Sequence, residues 1–242
     1  MKEWFAQIAN SFSQTFIVKD RWMLFAKGFT VTIRVAVLAL LLGIIFGVIV
    51  AVIRSAHDSR RKKTLGFGGV MLNIADLICR VYLTVIRGTP MMVQLMIMYF
   101  VIFSSTRRSI LVAILAFGIN SGAYVAEIVR SGIMSVDQGQ MEAGRSLGLD
   151  YKQTMRHIII PQAIKNILPA LGNEMITLFK DTSLMSVVAA KDLTKAASTV
   201  TAVTYQAFMP YVSVAVIYLV CVIILTKILG VAERRLRASD RR

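Results

Sequence analysis

Apolar residues in this chain are gathered into long runs, and charged residues lie mainly between the runs. The clearest run covers 29–53, is interrupted only by Arg34, and is long enough to cross a hydrocarbon core about 30 Å thick. Further apolar stretches cover about 70–103, 110–129, 163–190 and 208–230. The pattern predicts an all-α polytopic membrane protein with about five transmembrane helices.

The stretch 70–103 is too long for one straight crossing. Near its start, Asp76 and Arg80 are four residues apart, so we expect them to pair on one helix face. Farther along, Gly88-Thr89-Pro90 follows Arg87 and predicts a kink or a break in the helix. This region is therefore interpreted as an interfacial or cytoplasmic lead-in followed by a bent span.

The stretch 163–190 is the least regular of the five. Lys165 and Lys180 are too close together for a full crossing between them, and Pro169 and Gly172 lie within that interval. Both residue types interrupt helices, so the sequence predicts a broken or re-entrant segment whose irregular backbone faces protein or water.

The segment 1–28 precedes the first run and has a different pattern. Aromatic and aliphatic residues recur in it at helical spacing, namely Trp4, Phe5, Ile8, Phe12 and Phe16. An amphipathic helix in the outer membrane interface has this pattern, and a loosely ordered leader is the equal alternative. We therefore divide the chain into 1–28, an interfacial segment outside, and 29–242, a transmembrane domain.

Basic clusters follow the first and the last apolar runs. They comprise Arg54, Arg60, Arg61, Lys62 and Lys63 after the first run, and Arg234, Arg235, Arg237, Arg241 and Arg242 after the last. Such clusters mark the cytoplasmic side of a membrane. With five crossings, the amino terminus is expected outside, the carboxyl terminus in the cytoplasm, and the charged loop at about 130–162 also in the cytoplasm.

The composition agrees with membrane embedding: 56% of the 242 residues are hydrophobic, and the mean hydropathy is +0.67. The net charge of +15 does not indicate nucleic-acid binding, because the cations lie between apolar runs rather than on one folded face. The two cysteines and two histidines are isolated in sequence, so we predict no metal site and no catalytic residues.

The charged loop contains a recognisable motif. It has the sequence EAGRSLG at 142–148 and ends in IIIP at 158–161. This resembles the EAA motif of ABC importer permeases, with Gly144 in place of the usual second alanine and Ile160 in place of the usual leucine. Three other runs, 87–90, 120–127 and 180–184, are similar to the polar amino-acid subfamily, whose substrates include histidine, glutamine, arginine, lysine and cystine.

The resemblance implies a permease subunit of a type I ABC importer in a bacterial cytoplasmic membrane, surrounded by lipid. It would carry polar amino acids by alternating access. It would work with a dimer of ABC ATPase subunits, an extracytoplasmic solute-binding protein, and a second permease copy in a homodimer or heterodimer. The chain lacks the G-x-x-x-x-G-K-[ST] sequence, so ATP and Mg are expected on the ATPase and no cofactor in this chain.

The resemblance also implies that the loop forms a coupling helix that docks into a cleft on the ATPase. The coupling residues would be Glu142, Ala143, Gly144, Leu147, Gly148 and Pro161. Glu142 would make a polar contact there or cap its own helix, and the turn after Gly148 would stop the helix. From the residues alone, a surface helix packed under its own membrane domain is an alternative.

Polar residues inside the fourth stretch are candidates for the substrate pathway, because charged groups within spans tend to face a cavity or each other. They are Asn173, Glu174, Lys180, Asp181, Thr182 and Ser183. An internal ion pair of Glu174 or Asp181 with Arg87, Arg34 or Lys180 is the alternative. Two other classes, a transporter or channel working alone and a membrane-embedded enzyme, lack support from internal repeats or from converging catalytic groups.

Overall fold

A computed structural model describes residues 1–58, 66–106 and 108–238, and within these ranges the chain is helical and contains no β-strand. Its α-helices are α1 (Lys2–Phe12), α2 (Trp22–Asp58), α3 (Phe67–Gly88), α4 (Met91–Ile97), α5 (Ser109–Met134), α6 (Gln138–Ser146), α7 (Tyr151–Thr154), α8 (Ile160–Asp181), α9 (Leu193–Thr204) and α10 (Phe208–Ala238). Ser13–Ile17, Met98–Ile102 and Met155–Ile159 are π-helical, and Val18–Asp20 and Thr182–Val188 are 3-10 turns. The all-α prediction is confirmed.

Among the described residues, four helices are long and apolar enough to cross a membrane: α2, α3, α5 and α10. Helix α2 extends beyond the predicted run 29–53 at both ends. Helix α8, in the fourth predicted stretch, does not meet the same criteria.

The predicted break after Arg87 is confirmed. Helix α3 ends at Gly88, Thr89 is extended, and α4 begins at Met91. The ring of Pro90 disfavours a helical conformation at Thr89, which accounts for the extended residue between the two helices. Earlier in α3, Arg80 Nε donates to Asp76 Oδ2 at 2.6 Å, which confirms the expected pair.

The predicted interruption at Pro169 and Gly172 is wrong, because α8 runs unbroken through both residues. A single proline removes only one backbone donor, and membrane helices tolerate that loss. Gly172 instead permits close packing, since a Cβ there would lie 2.3 Å from Leu229 Cδ1 on α10. The change of backbone comes later, where α8 ends at Asp181 and a 3-10 turn leads to Ala189 in the left-handed conformation.

The chain forms two compact units. The first comprises Met1–Ala39, Met92–Phe117 and Ile176–Thr226. Its core contains Phe25, Leu193, Ala196, Ala197, Val200 and Val214. Asp192 caps α9 by accepting the backbone N–H groups of Thr194 and Lys195, at 3.1 and 2.9 Å. In this unit α1 is helical, with Trp4, Phe5 and Phe12 exposed, and its position in the membrane interface remains a prediction.

The second unit comprises Leu40–Met91, Gly118–Met175 and Lys227–Arg242. Within it, α2 and α5 approach closely because Gly43 faces Ser121 and Gly47 faces Val125. Both contacts advance by the same number of residues along each helix, so α2 and α5 run in the same direction.

Candidate coupling helix and substrate cavity

Helix α6, inside the predicted loop, begins with a side-chain cap. Asp137 Oδ1 accepts the backbone N–H of Gly139 at 2.6 Å, which satisfies one of the first unpaired donors of the helix. Glu142 lies farther into the helix, where no unpaired donor remains. The suggestion that Glu142 caps this helix is therefore wrong.

The end of α6 is a Schellman motif. Gly148 has φ +84°, the N–H of Leu149 donates to Gly144 O at 3.1 Å, and the N–H of Gly148 donates to Arg145 O at 3.0 Å. Immediately afterwards, the Asp150 carboxylate accepts the Gln153 N–H at 2.7 Å, and Gln153 Oε1 accepts the Asp150 N–H at 2.9 Å. This capping box starts α7, so the chain reverses within a few residues.

The two faces of α6 have different surroundings. Gly144 is buried, and a Cβ there would lie 2.6 Å from Thr154 Cγ2, so this glycine lets α6 pack on α7. Glu142, Ala143 and Leu147 are exposed, Leu147 to 80%. Gly144 therefore lies on a face of α6 that packs against its own chain. Leu147 is an apolar residue that no described residue covers.

Pro161 is the second residue of α8 and is also exposed. The π-helical turn Met155–Ile159 precedes it. A π-helical turn shifts the backbone hydrogen-bond register by one residue, which accommodates a residue without an N–H. The π-helical turn thus joins α7 to α8 as one continuous helical segment.

A cavity of about 380 Å³ lies in the second unit. It is lined by Arg87, Tyr124, Glu127, Ile128, Ser131, Gly132, Ser135, Asn166, Ala170 and Glu174. The lining combines apolar and small residues with one guanidinium and two carboxylates. Such a mixture is typical of sites for small polar ligands.

The charged groups of this cavity are held in place by neighbours. Arg87 Nη1 lies 3.3 Å from Glu127 Oε2, and its guanidinium is 5.7 Å from the ring centroid of Tyr124. Ser121 Oγ donates to Glu174 Oε1 at 2.7 Å. The cavity therefore presents one cation and two anions in fixed positions.

The structure places the six predicted pathway residues in different surroundings, and Glu174 alone of the six lines this cavity. Asn173 is exposed, and its Nδ2 donates to Pro169 O at 3.2 Å. Lys180 is exposed, and Asp181 and Ser183 are partly buried. Thr182 is fully buried and donates to Phe179 O at 2.6 Å, so it lies in the packed interior.

Sequence reasoning did not include Arg87, Tyr124 and Glu127 among the site residues. Arg87 precedes the helix break, and the other two belong to the polar stretch of a span, so the signal was present. Their proximity depends on the contact between α3 and α5, and the spacing of residues within one helix does not predict a contact with another helix. Among the described residues, no group of three or more metal-binding side chains occurs.

Comparison with known proteins defines the class of this molecule. Residues 67–238 match the family of binding-protein-dependent transport system inner membrane components. The chain belongs to this family. The permease thus includes several membrane-crossing helices and is a transport subunit rather than an enzyme, as the sequence indicated.

Relatives span nearly the whole permease. It is 35% identical over 217 residues to the arginine transport system permease protein ArtQ of Bacillus subtilis strain 168, covering 88% of this chain and 93% of ArtQ. It is 36% identical over 218 residues to the glutamine transport system permease protein GlnP of Escherichia coli K12, with coverages of 88% and 93%.

Two solved structures are also similar. One, described as an amino acid ABC transporter with histidines, has a TM-score of 0.80 at 39% identity and covers 91% of the permease and 98% of that chain. The MetNI methionine ABC transporter in an inward-facing conformation has a TM-score of 0.72 at 18% identity, covering 88% and 96%, and shares the fold. The expected architecture of an importer permease is confirmed.

Proposed function

We propose that this permease and a second copy, identical or related, form the translocation pathway of an ATP-driven importer for polar amino acids. An extracytoplasmic solute-binding protein delivers the substrate, and a dimer of ABC ATPase subunits holds ATP and Mg. The spans then expose the substrate to each side in turn. The names of the arginine and glutamine permeases above support this substrate class.

The exposed face of α6 is the observation that carries the coupling role. Leu147 is 80% exposed at the tip of a helix whose two ends are capped, and Glu142 and Ala143 lie on the same helix. A capped, self-supporting helix moves as a rigid body, so displacement of its tip is transmitted to α7 and α8. An apolar anchor on such a helix fits a groove on the ATPase.

The coupling role is tested with Leu147→Asp. We expect this variant to be made and inserted normally but to lose both co-purification of the partner ATPase and ATP-driven uptake. Lys152→Gln is the matched control, because Lys152 is exposed on the adjacent helix α7 and its charge change is equal in size. Normal ATPase recovery and normal uptake by Leu147→Asp would contradict the proposed coupling role of α6.

The cavity in the second unit supplies the complementary charges for an amino acid. We propose that Arg87 binds the α-carboxylate and that Glu127 or Glu174 binds the α-ammonium group, since all three line the cavity. The remaining carboxylate then matches a cationic side chain. We therefore propose that basic amino acids are preferred over neutral ones.

Glu174→Gln tests this assignment in proteoliposomes that contain the complete importer. We expect the KM for arginine or lysine to rise roughly tenfold, because a charge-assisted hydrogen bond is lost. Asn173→Ala is the control, since Asn173 is adjacent on α8 but does not line the cavity. Equal arginine uptake by the wild type and Glu174→Gln would exclude Glu174 from the substrate site.

Charge placement and packing both support an outside amino terminus and a cytoplasmic carboxyl terminus. Basic clusters follow 29–53 and 208–230 in the sequence. Helices α2 and α5 run in the same direction, which requires a return crossing between them. The bent segment α3–α4 supplies that return, and α6 then lies on the cytoplasmic side.

A further inference from the structure

A second cavity, of about 490 Å³, also lies in the second unit. Its polar lining consists of Arg54, Arg80, Thr84, Arg87 and Glu127. Three guanidinium groups therefore surround the cavity, and a single carboxylate lines it. The first cavity has the opposite balance, with two carboxylates and one guanidinium.

A buried carboxylate behind this second cavity organises two of the arginines. Asp76 is 3% exposed and does not line the cavity. Arg80 Nε donates to Asp76 Oδ2 at 2.6 Å, and Arg54 Nε lies 3.7 Å from Asp76 Oδ1, too far for a hydrogen bond. Because Asp76 engages the Nε side of Arg80, the terminal nitrogens of that guanidinium remain available to another acceptor.

The guanidinium groups that line the second cavity outnumber the carboxylates that line it. Asp76 and Glu127 offset two of the three guanidinium charges. Arg130 lies 3.8 Å from both Glu127 and Asp58. Arg130 therefore adds one positive charge to the cluster, and Asp58 adds one negative charge. Glu174, which lines the first cavity together with Arg87, offsets the remaining charge of the cluster as a whole, but it does not line the second cavity. The lining of the second cavity itself, with three guanidinium groups and one carboxylate, still favours an anion.

The cavity lies close to the ends of two parallel helices. Arg54 is about one turn before the end of α2 at Asp58, and Glu127 is about two turns before the end of α5 at Met134. Since α2 and α5 run in the same direction, both ends are on the same side. In helices that span a bilayer, residues this near one end lie closer to the membrane surface than to its centre.

One face of α3 carries Arg80, Thr84 and Arg87, and the adjacent face carries apolar residues. Leu77, Val81 and Val85 on that adjacent face are 60%, 55% and 52% exposed. A basic stripe beside an exposed apolar stripe matches an anionic phospholipid, whose headgroup and acyl chains are linked. We propose that the second cavity binds the phosphate group of an anionic phospholipid, with Arg80 and Arg54 as its principal donors.

The chemistry of the ligand follows from the donors. Guanidinium groups bind phosphate oxygens with two parallel hydrogen bonds, and a phosphodiester keeps its negative charge at every physiological pH. A net anionic lipid complements the cationic lining of the cavity, whereas a zwitterionic lipid carries its own cation. The proposal is independent of which amino acid is transported.

Native mass spectrometry of the importer complex in detergent tests the proposal. The complex is titrated with phosphatidylglycerol or with phosphatidylcholine, and the lipid-bound fraction is measured. We expect wild-type protein to retain phosphatidylglycerol selectively, and Arg80→Gln to weaken that retention roughly tenfold. Arg234→Gln is the control, because Arg234 is exposed near the end of α10, does not line the cavity, and loses the same charge.

A second variant guards against a folding defect in Arg80→Gln. Thr84 is exposed in the cavity lining, so Thr84→Asp adds a repelling charge without removing a buried group, and we expect the same loss of phosphatidylglycerol. Inorganic phosphate that displaces phosphatidylglycerol from the wild type at millimolar concentration would assign the same site to a soluble anion. Equal phosphatidylglycerol retention by the wild type, Arg80→Gln and Thr84→Asp would overturn the proposal.

Discussion

Asp76 shows how strongly burial changes the role of a single charged residue. Its side chain is 4% exposed and is surrounded by Arg80, Arg54 and His57, at 2.6, 3.7 and 3.7 Å. Asp58, which pairs with Arg130 at 3.8 Å, is 45% exposed. Removing one partner of a buried pair leaves an uncompensated charge, whereas an exposed pair is already screened by solvent.

Asp76→Asn is therefore expected to lower the free energy of unfolding by about 3 kcal/mol. Asp58→Asn removes the same charge from an exposed pair and is expected to cost less than about 1 kcal/mol. Thermal unfolding of the two purified variants in detergent measures both. Similar melting temperatures for the two variants would show that the Asp76 cluster is not held together by its charge.

Glycine packing gives a second prediction at this scale. A Cβ at Gly47 would lie 2.6 Å from Val125 Cβ and 2.8 Å from the backbone nitrogen of Ala126, so Gly47→Ala must separate α2 from α5. We expect a loss of about 1–3 kcal/mol in unfolding free energy. Gly230→Ala on α10 meets no atom within 4 Å and should lose nothing. A melting temperature as high for Gly47→Ala as for Gly230→Ala would contradict this packing.

At the scale of elements, the hairpin of α6 and α7 depends on one left-handed residue. A side chain at Gly148, where φ is +84°, costs about 1–2 kcal/mol unless it tolerates that conformation, as asparagine does. We expect Gly148→Val to reduce ATP-driven uptake strongly while Gly148→Asn retains most of it. Uptake rates in proteoliposomes with matched permease content give the comparison. Equal rates for the two variants would show that coupling does not need this turn.

Structural features that depend on residues adjacent in the sequence were predictable from the sequence. The break before Pro90 follows from sterics between neighbours, and the end of α6 follows from Gly148 and the Asp150 cap. The continuity of α8 through Pro169 was not predictable in the same way. Gly172 does not interrupt α8 but packs against Leu229, a contact between residues far apart in the sequence.

At the scale of the whole molecule, topology is the property most open to a direct test. In a chain with Cys79 and Cys221 replaced by serine, we expect Ser105→Cys to react with an impermeant maleimide added to intact spheroplasts. Ser146→Cys should react only after the membrane is opened. Both serines are exposed, so the difference reports the side of the membrane. Labelling of Ser146→Cys in intact spheroplasts would reverse the proposed orientation.

Membrane embedding and transport class were evident from the sequence because they depend on long apolar runs and on a contiguous motif. The substrate cavity was only partly evident. Glu174 stood out as a charge within a span, but Arg87 and Glu127 become partners only when α3 packs against α5. Sequence periodicity therefore does not predict a ligand site whose residues come from three separate helices.

The close approach of Gly43 and Gly47 to α5 has a consequence for the proposed pairing of two permease copies. These residues form a G-x-x-x-G sequence, which in membrane helices is commonly a dimerisation motif. Here Ser121 and Val125 of the same chain occupy that face. A two-copy importer must therefore be joined through other surfaces, and substitutions at Gly43 and Gly47 should act on the folding of each subunit before they act on its pairing.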